Sequence, residues 1–213
     1  MSIVHHPDDA TLMSFAAGSL TEALAAVVAT HIAMCPRCAR ELELLELVGT
    51  SLIESMPQQN AWRAPPPVSL RSLEIRAPKP TPRAAGEIPA PLARVVGDRF
   101  EGVAWKRLAP GIRQVRLPLS EGAPGDLRII EVAPGLKMPE HGHGGSELTL
   151  LLRGSYRDEV GHFARGDLAD LDETVEHQPI ADAETGCICL IGTESKARFK
   201  SLFARLLQPL TGL

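Results

Sequence analysis

The feature that most constrains this 213-residue chain is a proline-rich stretch before its midpoint. Nine of the eighteen prolines lie within residues 57–91. Proline cannot continue a helix and favours extended spacers, so the sequence predicts a linker over residues 77–91. Residues 1–76 and 92–213 then form two domains, and only residues 68–75 of the proline-rich stretch have the apolar spacing of a short helix.

The residues before the linker predict a small bundle of three to four helices. The first helix is expected over residues 7–17, the second over 22–34, and the third begins at Pro36. Short helices of this total length bury little apolar surface, so a structural metal or a partner protein would supply needed stability. Four apolar residues are candidates for a partner surface or for internal core: Leu12, Phe15, Leu42 and Leu45.

A first group of metal-ligand residues lies at the junction of the second and third helices. His31 and Cys35 are four residues apart and therefore lie one helical turn apart on the same face, while Cys38 completes a C-x-x-C motif. A helix N-terminus stabilises the thiolate form, which is the form that binds metal. Tetrahedral Zn2+ needs a fourth ligand, which either His5 or His6 can supply. We expect His6, because it adjoins the start of the first helix.

The residues after the linker predict an antiparallel β-structure. Short apolar runs are separated by glycine or proline turns at intervals of about ten residues, as in β-sandwiches and β-barrels. The fold class is therefore multidomain, α plus β.

A second group of ligand residues lies within this β-region. His141 and His143 are two apart and face the same side of a strand, and Glu147 follows after a Gly-Gly-Ser turn. His177 can complete the set from a later strand. Three imidazoles and one carboxylate suit zinc, iron, manganese or nickel. We expect zinc.

Both groups resemble known families. His6 followed by the H-x-x-x-C-x-x-C motif that ends at Cys38 is similar to the zinc-binding anti-sigma factors. The stretch 135–154 fits the first cupin signature, G-x5-H-x-H-x3-E-x6-G, at every fixed position. The second signature keeps Gly166 and His177, but different residues replace its proline, glycine and asparagine, namely Asp172, Thr174 and Ala181. The two domains in this order resemble the ChrR-type anti-sigma factors over essentially the whole chain.

That resemblance implies a cytoplasmic regulator without enzymatic activity. Residues 1–76 would form a four-helix zinc domain that binds and inhibits an alternative sigma factor of the extracytoplasmic-function group. Residues 92–213 would form a metal-binding cupin β-barrel, required for release under oxidative stress such as singlet oxygen. The alternative is a metal-dependent cupin dioxygenase, isomerase or decarboxylase with an accessory zinc domain.

Composition argues against two other partners. The net charge is −4, aromatic residues make up 4% of the chain, and no basic stripe is present, so we expect no direct DNA binding. We expect no membrane segment either, because the most apolar stretch, residues 23–35, is too short to span a bilayer. Cys187 and Cys189 lie on one face of a predicted strand, either as small core residues or as oxidisable thiols near the metal.

Overall fold

The computed structural model describes residues 2–56 and 86–195 and the two-residue strand at 198–199. The helix predicted over residues 68–75 and most of the predicted linker lie outside these ranges. Within them the chain contains the predicted helices followed by antiparallel sheet, which confirms the predicted fold class. None of the described helices combines the length and apolarity that a membrane span needs.

Four α-helices are described: α1 (Asp9–Ala16), α2 (Glu22–Ile32), α3 (Pro36–Ser55) and α4 (Ala90–Val96). The side chain of Asp8 caps α1 by accepting a hydrogen bond from the Thr11 amide, and Pro36 occupies the first turn of α3. The helix α4 begins inside the stretch predicted as linker, and Ile88 just before it is buried. A proline near the start of α4 is compatible with a helix because its missing N–H would be unpaired there anyway.

The strands form two antiparallel sheets. Their bounds are β1 (Lys106–Ala109), β2 (Ile112–Arg116), β3 (Asp126–Val132), β4 (His141–Gly142), β5 (Glu147–Arg157), β6 (His162–Ala164), β7 (Leu168–Leu171), β8 (Glu176–His177), β9 (Ile180–Ala181), β10 (Cys187–Thr193) and β11 (Arg198–Phe199). The large sheet has the order β1-β2-β3-β10-β5-β6, with β7 and β9 also paired to β5, and the small sheet has the order β11-β4-β8. The sheet is cupin-like, although no pairing between β1 and β6 closes it within the described residues.

Strand β5 bends at Gly154, the last glycine of the cupin signature. Its φ of 69° lies in the left-handed region, and a Cβ at this position would be 2.0 Å from the carbonyl oxygen of Gly186. The first half of β5 pairs with β10 and β7, and the second half pairs with β6 and β9. Glycine therefore lets one long strand pair with four others.

Alternating side chains of the central strands enter two different cores. One core lies inside the barrel and includes Ile130 and Leu151. The other lies on the outer face, where Leu150 and Leu190 pack with Leu24 and Val27 of α2. The helical part and the β-part of the chain therefore share a core, so burying one face of α2 stabilises both parts.

Candidate metal centres and their surroundings

The first predicted group of ligands converges at the end of α2. His31 lies in the last turn of α2, Cys35 is the N-cap of α3, and Cys38 lies in its first turn. His6 reaches them from the arm before α1, and one ligand atom of each residue lies within 4.8 Å of the other three. His5 is not in this group, because its ring packs against Phe163 at 4.4 Å between centroids.

The interatomic distances in this group fit a small tetrahedral ion. His31 Nε2 lies 3.3 Å from Cys38 Sγ, and His6 Nδ1 lies 3.4 Å from Cys38 Sγ and 3.5 Å from Cys35 Sγ. Zinc bonds of about 2.3 Å to sulfur and about 2.0–2.1 Å to nitrogen place tetrahedral ligands roughly 3.5 Å apart. The four residues can therefore hold a metal without a large rearrangement.

The pKa values of the ligand side chains make metal binding at this site depend on pH. Burial lowers the pKa of His31 to about 4, so its imidazole is neutral near pH 7 and its Nε2 lone pair can bind an ion. Burial, followed by the neighbouring Cys35, raises the pKa of Cys38 to about 12. A metal ion must therefore displace the proton of this thiol, so metal binding should become weaker as the pH falls.

Residues of the β-part hold the first group in place. The ring of His31 has its Nδ1 3.0 Å from the carbonyl oxygen of Gly166, which fixes the ring and leaves Nε2 for the metal. Asp167 Oδ1 accepts hydrogen bonds from the amides of Val4 at 2.7 Å and His5 at 3.0 Å. The arm that carries His6 is thus attached to the barrel. No local sequence signal linked Gly166 or Asp167 to the first group, since both are more than 130 residues from their partners there.

The second predicted group also converges. His141 and His177 face each other across the β4–β8 pair with their Nε2 atoms 3.3 Å apart. His143 Nδ1 lies 3.2 Å from a carboxylate oxygen of Glu147 at the start of β5. One ligand atom of each residue lies within 4.8 Å of the others. The Nε2 of His143 is buried and has no hydrogen-bond partner among the described residues.

Outer contacts orient the imidazoles of this second group. Asp158 Oδ2 lies 2.7 Å from His177 Nδ1, and the carbonyl oxygen of Pro139 lies 2.9 Å from His141 Nδ1. Burial alone would raise the pKa of Asp158, but the contact with His177 and the hydrogen bonds from the amides of Gly161 and Val160 together outweigh burial and lower it. A carboxylate behind a metal-binding histidine fixes its tautomer and increases its basicity. The sequence did not single out Asp158, because the fold alone brings it to His177.

A cavity of about 440 Å³ adjoins the second group inside the barrel. Cys187 and Cys189 line it, so they are buried core residues that also face the interior beside the ligands. The hydrogen bond with the neighbouring Cys187, followed by burial, raises the pKa of Cys189 well above its usual value, which keeps this thiol protonated and weakly nucleophilic. His162 is exposed on β6, outside both groups.

The third helix carries an exposed apolar face. The α3 face is formed by Leu44, Leu47, Val48 and Leu52, which recur at three- and four-residue spacing. Leu44, Leu47 and Leu52 are 63–66% exposed. The apolar residues considered for a partner surface from sequence lie elsewhere: Leu12 is buried, while Phe15 and Leu45 pack partly against the core. On α3, the apolar residues of the exposed face and those that pack against the core recur at the same three- and four-residue spacing. Periodicity therefore could not show which face of α3 would be exposed.

Comparison with known proteins shows which family this chain belongs to. Residues 95–197 match the family model described as the ChrR Cupin-like domain. The chain is 41% identical to the anti-sigma-E factor ChrR of Cereibacter sphaeroides, over 98% of both proteins. It also matches a chain in the crystal structure of Rhodobacter sphaeroides SigE in complex with the anti-sigma ChrR, with 41% identity and a TM-score of 0.73. That match covers 90% of this chain and 100% of the other. The chain therefore belongs to the ChrR family of anti-sigma factors.

Proposed function

We propose that this chain binds and inhibits an alternative sigma factor of the extracytoplasmic-function type through residues 1–76. The observation that carries the proposal is similarity over 98% of the chain to an anti-sigma-E factor. The similar solved chain was crystallised with its sigma factor, SigE. A sigma factor acts on RNA polymerase inside the cell, so the cytoplasm is the proposed location.

The α3 face is the proposed docking surface for the sigma factor. Its leucines are among the most exposed large apolar side chains of the described residues, and such exposed rows are typical of surfaces that a partner buries. The adjoining metal group fixes the start of α3 relative to α2. A metal at this group would therefore set the direction in which the α3 face projects.

The metal proposals follow the chemistry of the donors. Two thiolates and two imidazoles favour zinc at His6, His31, Cys35 and Cys38. Three imidazoles and a carboxylate at His141, His143, Glu147 and His177 also accept zinc, with iron, manganese and nickel as alternatives. Zinc has no redox chemistry, so at the first group its contribution would be to folding.

The division into residues 1–76, 77–91 and 92–213 also remains a proposal, with residues 92–213 required for release under oxidative, singlet-oxygen-like stress. The shared core of α2 and the sheet gives this release a physical route, because a change in the barrel would alter the surface on which α2 rests. A catalytic cupin is not favoured, since the whole-chain similarity is to a regulator.

Co-purification with metal analysis tests the central proposal. The full chain, co-expressed with the extracytoplasmic-function sigma factors of its host, should retain one sigma factor in stoichiometric amount and bind about two metals. The double variant Cys35→Ala, Cys38→Ala should lose one metal and the sigma factor. The matched double variant His141→Ala, His143→Ala should lose one metal and keep the sigma factor. Undiminished sigma binding by the cysteine variant would contradict the proposal.

A truncation separates inhibition from release. A chain ending at residue 76 should still bind the sigma factor but should not respond to the oxidant. Because the truncation exposes residues of α2 that are buried in the full chain, such as Val27 and Val28, we expect it to need the sigma factor or zinc for solubility. A truncated chain that cannot bind the sigma factor even with zinc would show that the barrel takes part in binding.

A further inference from the structure

The barrel cavity has the size and lining of a small-molecule site. Its volume of about 440 Å³ falls in the range of roughly 300–1,000 Å³ typical of ligand pockets. Apolar side chains form much of its wall, among them Ile130, Val132, Met138 and Ala181. A cavity of this size is large enough for an apolar molecule several times larger than water.

One polar group in this apolar wall lacks a partner. The hydroxyl of Tyr156 is buried and has no hydrogen-bond partner among the described residues. Tyr156 lines the cavity. Burial and the nearby Cys189, Asp158 and Glu147 raise its pKa well above the usual value, so the hydroxyl keeps its proton and can donate. A buried unpaired hydroxyl destabilises a fold unless something satisfies it.

Residues of the second metal group also line this cavity. His141, Glu147 and His177 line the same cavity as Tyr156. Three neutral imidazoles and one carboxylate around a divalent ion would leave a net positive charge, which favours a negatively charged oxygen group nearby. The cavity thus combines a hydrogen-bond donor, a positive site and an apolar wall.

We propose that the barrel cavity binds a carboxylate with an unbranched apolar chain, whose head group accepts a hydrogen bond from Tyr156 and whose chain packs along Ile130, Val132 and Ala181. This inference concerns the ligand of the barrel and goes beyond sigma-factor binding. The apolar chain of a bound ligand would fill space beside Cys189 and Ile191 of β10. Leu190, which lies between these two residues, belongs to the outer core shared with α2. Ligand binding in the cavity would thus affect the packing of α2 through β10.

The chain contains a single tyrosine, which makes the site directly observable. Tyrosine labelled with ¹³C at Cζ in the full, metal-loaded protein gives one signal, from Tyr156. Titration with octanoate should shift this signal saturably. Affinity should rise by about fourfold per added methylene from butyrate to octanoate, since each buried methylene contributes about 0.8 kcal/mol. Octylammonium, which has the same chain but no acceptor, should not bind.

Calorimetry on variants tests where octanoate binds. Tyr156→Phe should bind octanoate roughly two- to tenfold more weakly, the effect of one hydrogen bond. Ala181→Leu should abolish binding by filling the cavity, with Ile130→Phe as a second filling variant should the first fail to fold. Ala164→Leu, on β6 and outside the cavity wall, is the matched control and should bind normally.

Several outcomes would overturn the inference. These are the absence of a saturable shift, equal affinity for acetate and octanoate, or unchanged octanoate binding by a folded filling variant. Equal affinity for acetate would mean that the metal alone holds the head group. Sigma-factor retention is measured on the same preparations, so a failure of this inference is distinguishable from a failure of the proposed function.

Discussion

Replacing Asp167 by alanine should weaken metal binding at the first group, although Asp167 is not one of its four ligands. Its carboxylate accepts hydrogen bonds from the amides of Val4 and His5, next to His6. Two hydrogen bonds to a charged group are worth about 3–6 kcal/mol, and freeing two arm residues returns about 1–2 kcal/mol of entropy each. From the middle of these ranges we expect a net loss of about 1.5 kcal/mol, or roughly twelvefold in metal affinity.

The assay uses cobalt in place of zinc. Thiolate-to-cobalt absorption reports only on a site with cysteine ligands, so competition with a chelator gives the affinity of the first group. Asp182→Ala is the matched control, because Asp182 accepts amide hydrogen bonds at 3.0 and 2.8 Å from Glu184 and Thr185 within its own turn. The control should bind cobalt as the unaltered chain does.

The effect has a defined pH window. Burial by itself would raise the pKa of Asp167, but its hydrogen bonds from the amides of His5, Ala164 and Val4 lower it. The stabilisation is therefore complete above the unfolded-state pKa of about 3.9 and is lost as the pH falls through the lower folded-state value. An assay at pH 7 compares fully formed contacts. Equal cobalt affinities for Asp167→Ala and the unaltered chain would refute the claim that the barrel holds the arm.

Three further predictions address the α3 face, the packing of α2 on the sheet and the second metal group. Leu47→Glu with Leu52→Glu should abolish sigma-factor retention while shifting the melting temperature by less than the loss of a core residue would, because both side chains are exposed; retained binding would exclude the α3 face. Gly192→Val should lower the free energy of unfolding by more than 1 kcal/mol, since even a Cβ would lie 2.7 Å from a backbone oxygen of α2, and chemical denaturation measures this. Asp158→Asn should weaken metal binding at His177 about 10- to 100-fold while leaving the cobalt absorption of the first group intact; an unchanged metal affinity would contradict its orienting role.

Short-range patterns were sufficient for α1 to α3 and for the closely spaced members of each ligand group. The spacing of His31, Cys35 and Cys38 follows from one helix end and one helix start, so local geometry alone predicted their convergence. The alternation of His141 and His143 is likewise a property of extended backbone. The choice between His5 and His6 was less secure, because neighbouring residues in an arm differ only in which way the folded chain turns them.

The amino-acid sequence by itself thus determined which side chains could bind metal, where α1, α2 and α3 begin, and that antiparallel strands follow the helices. Tertiary structure decided the long-range contacts: Asp167 with the amide of Val4, Gly166 with His31, Asp158 with His177, and α2 with the outer face of the sheet. The physical reason is that periodicity records which face of an element is apolar, whereas the identity of the surface covering that face depends on contacts between residues far apart in the chain.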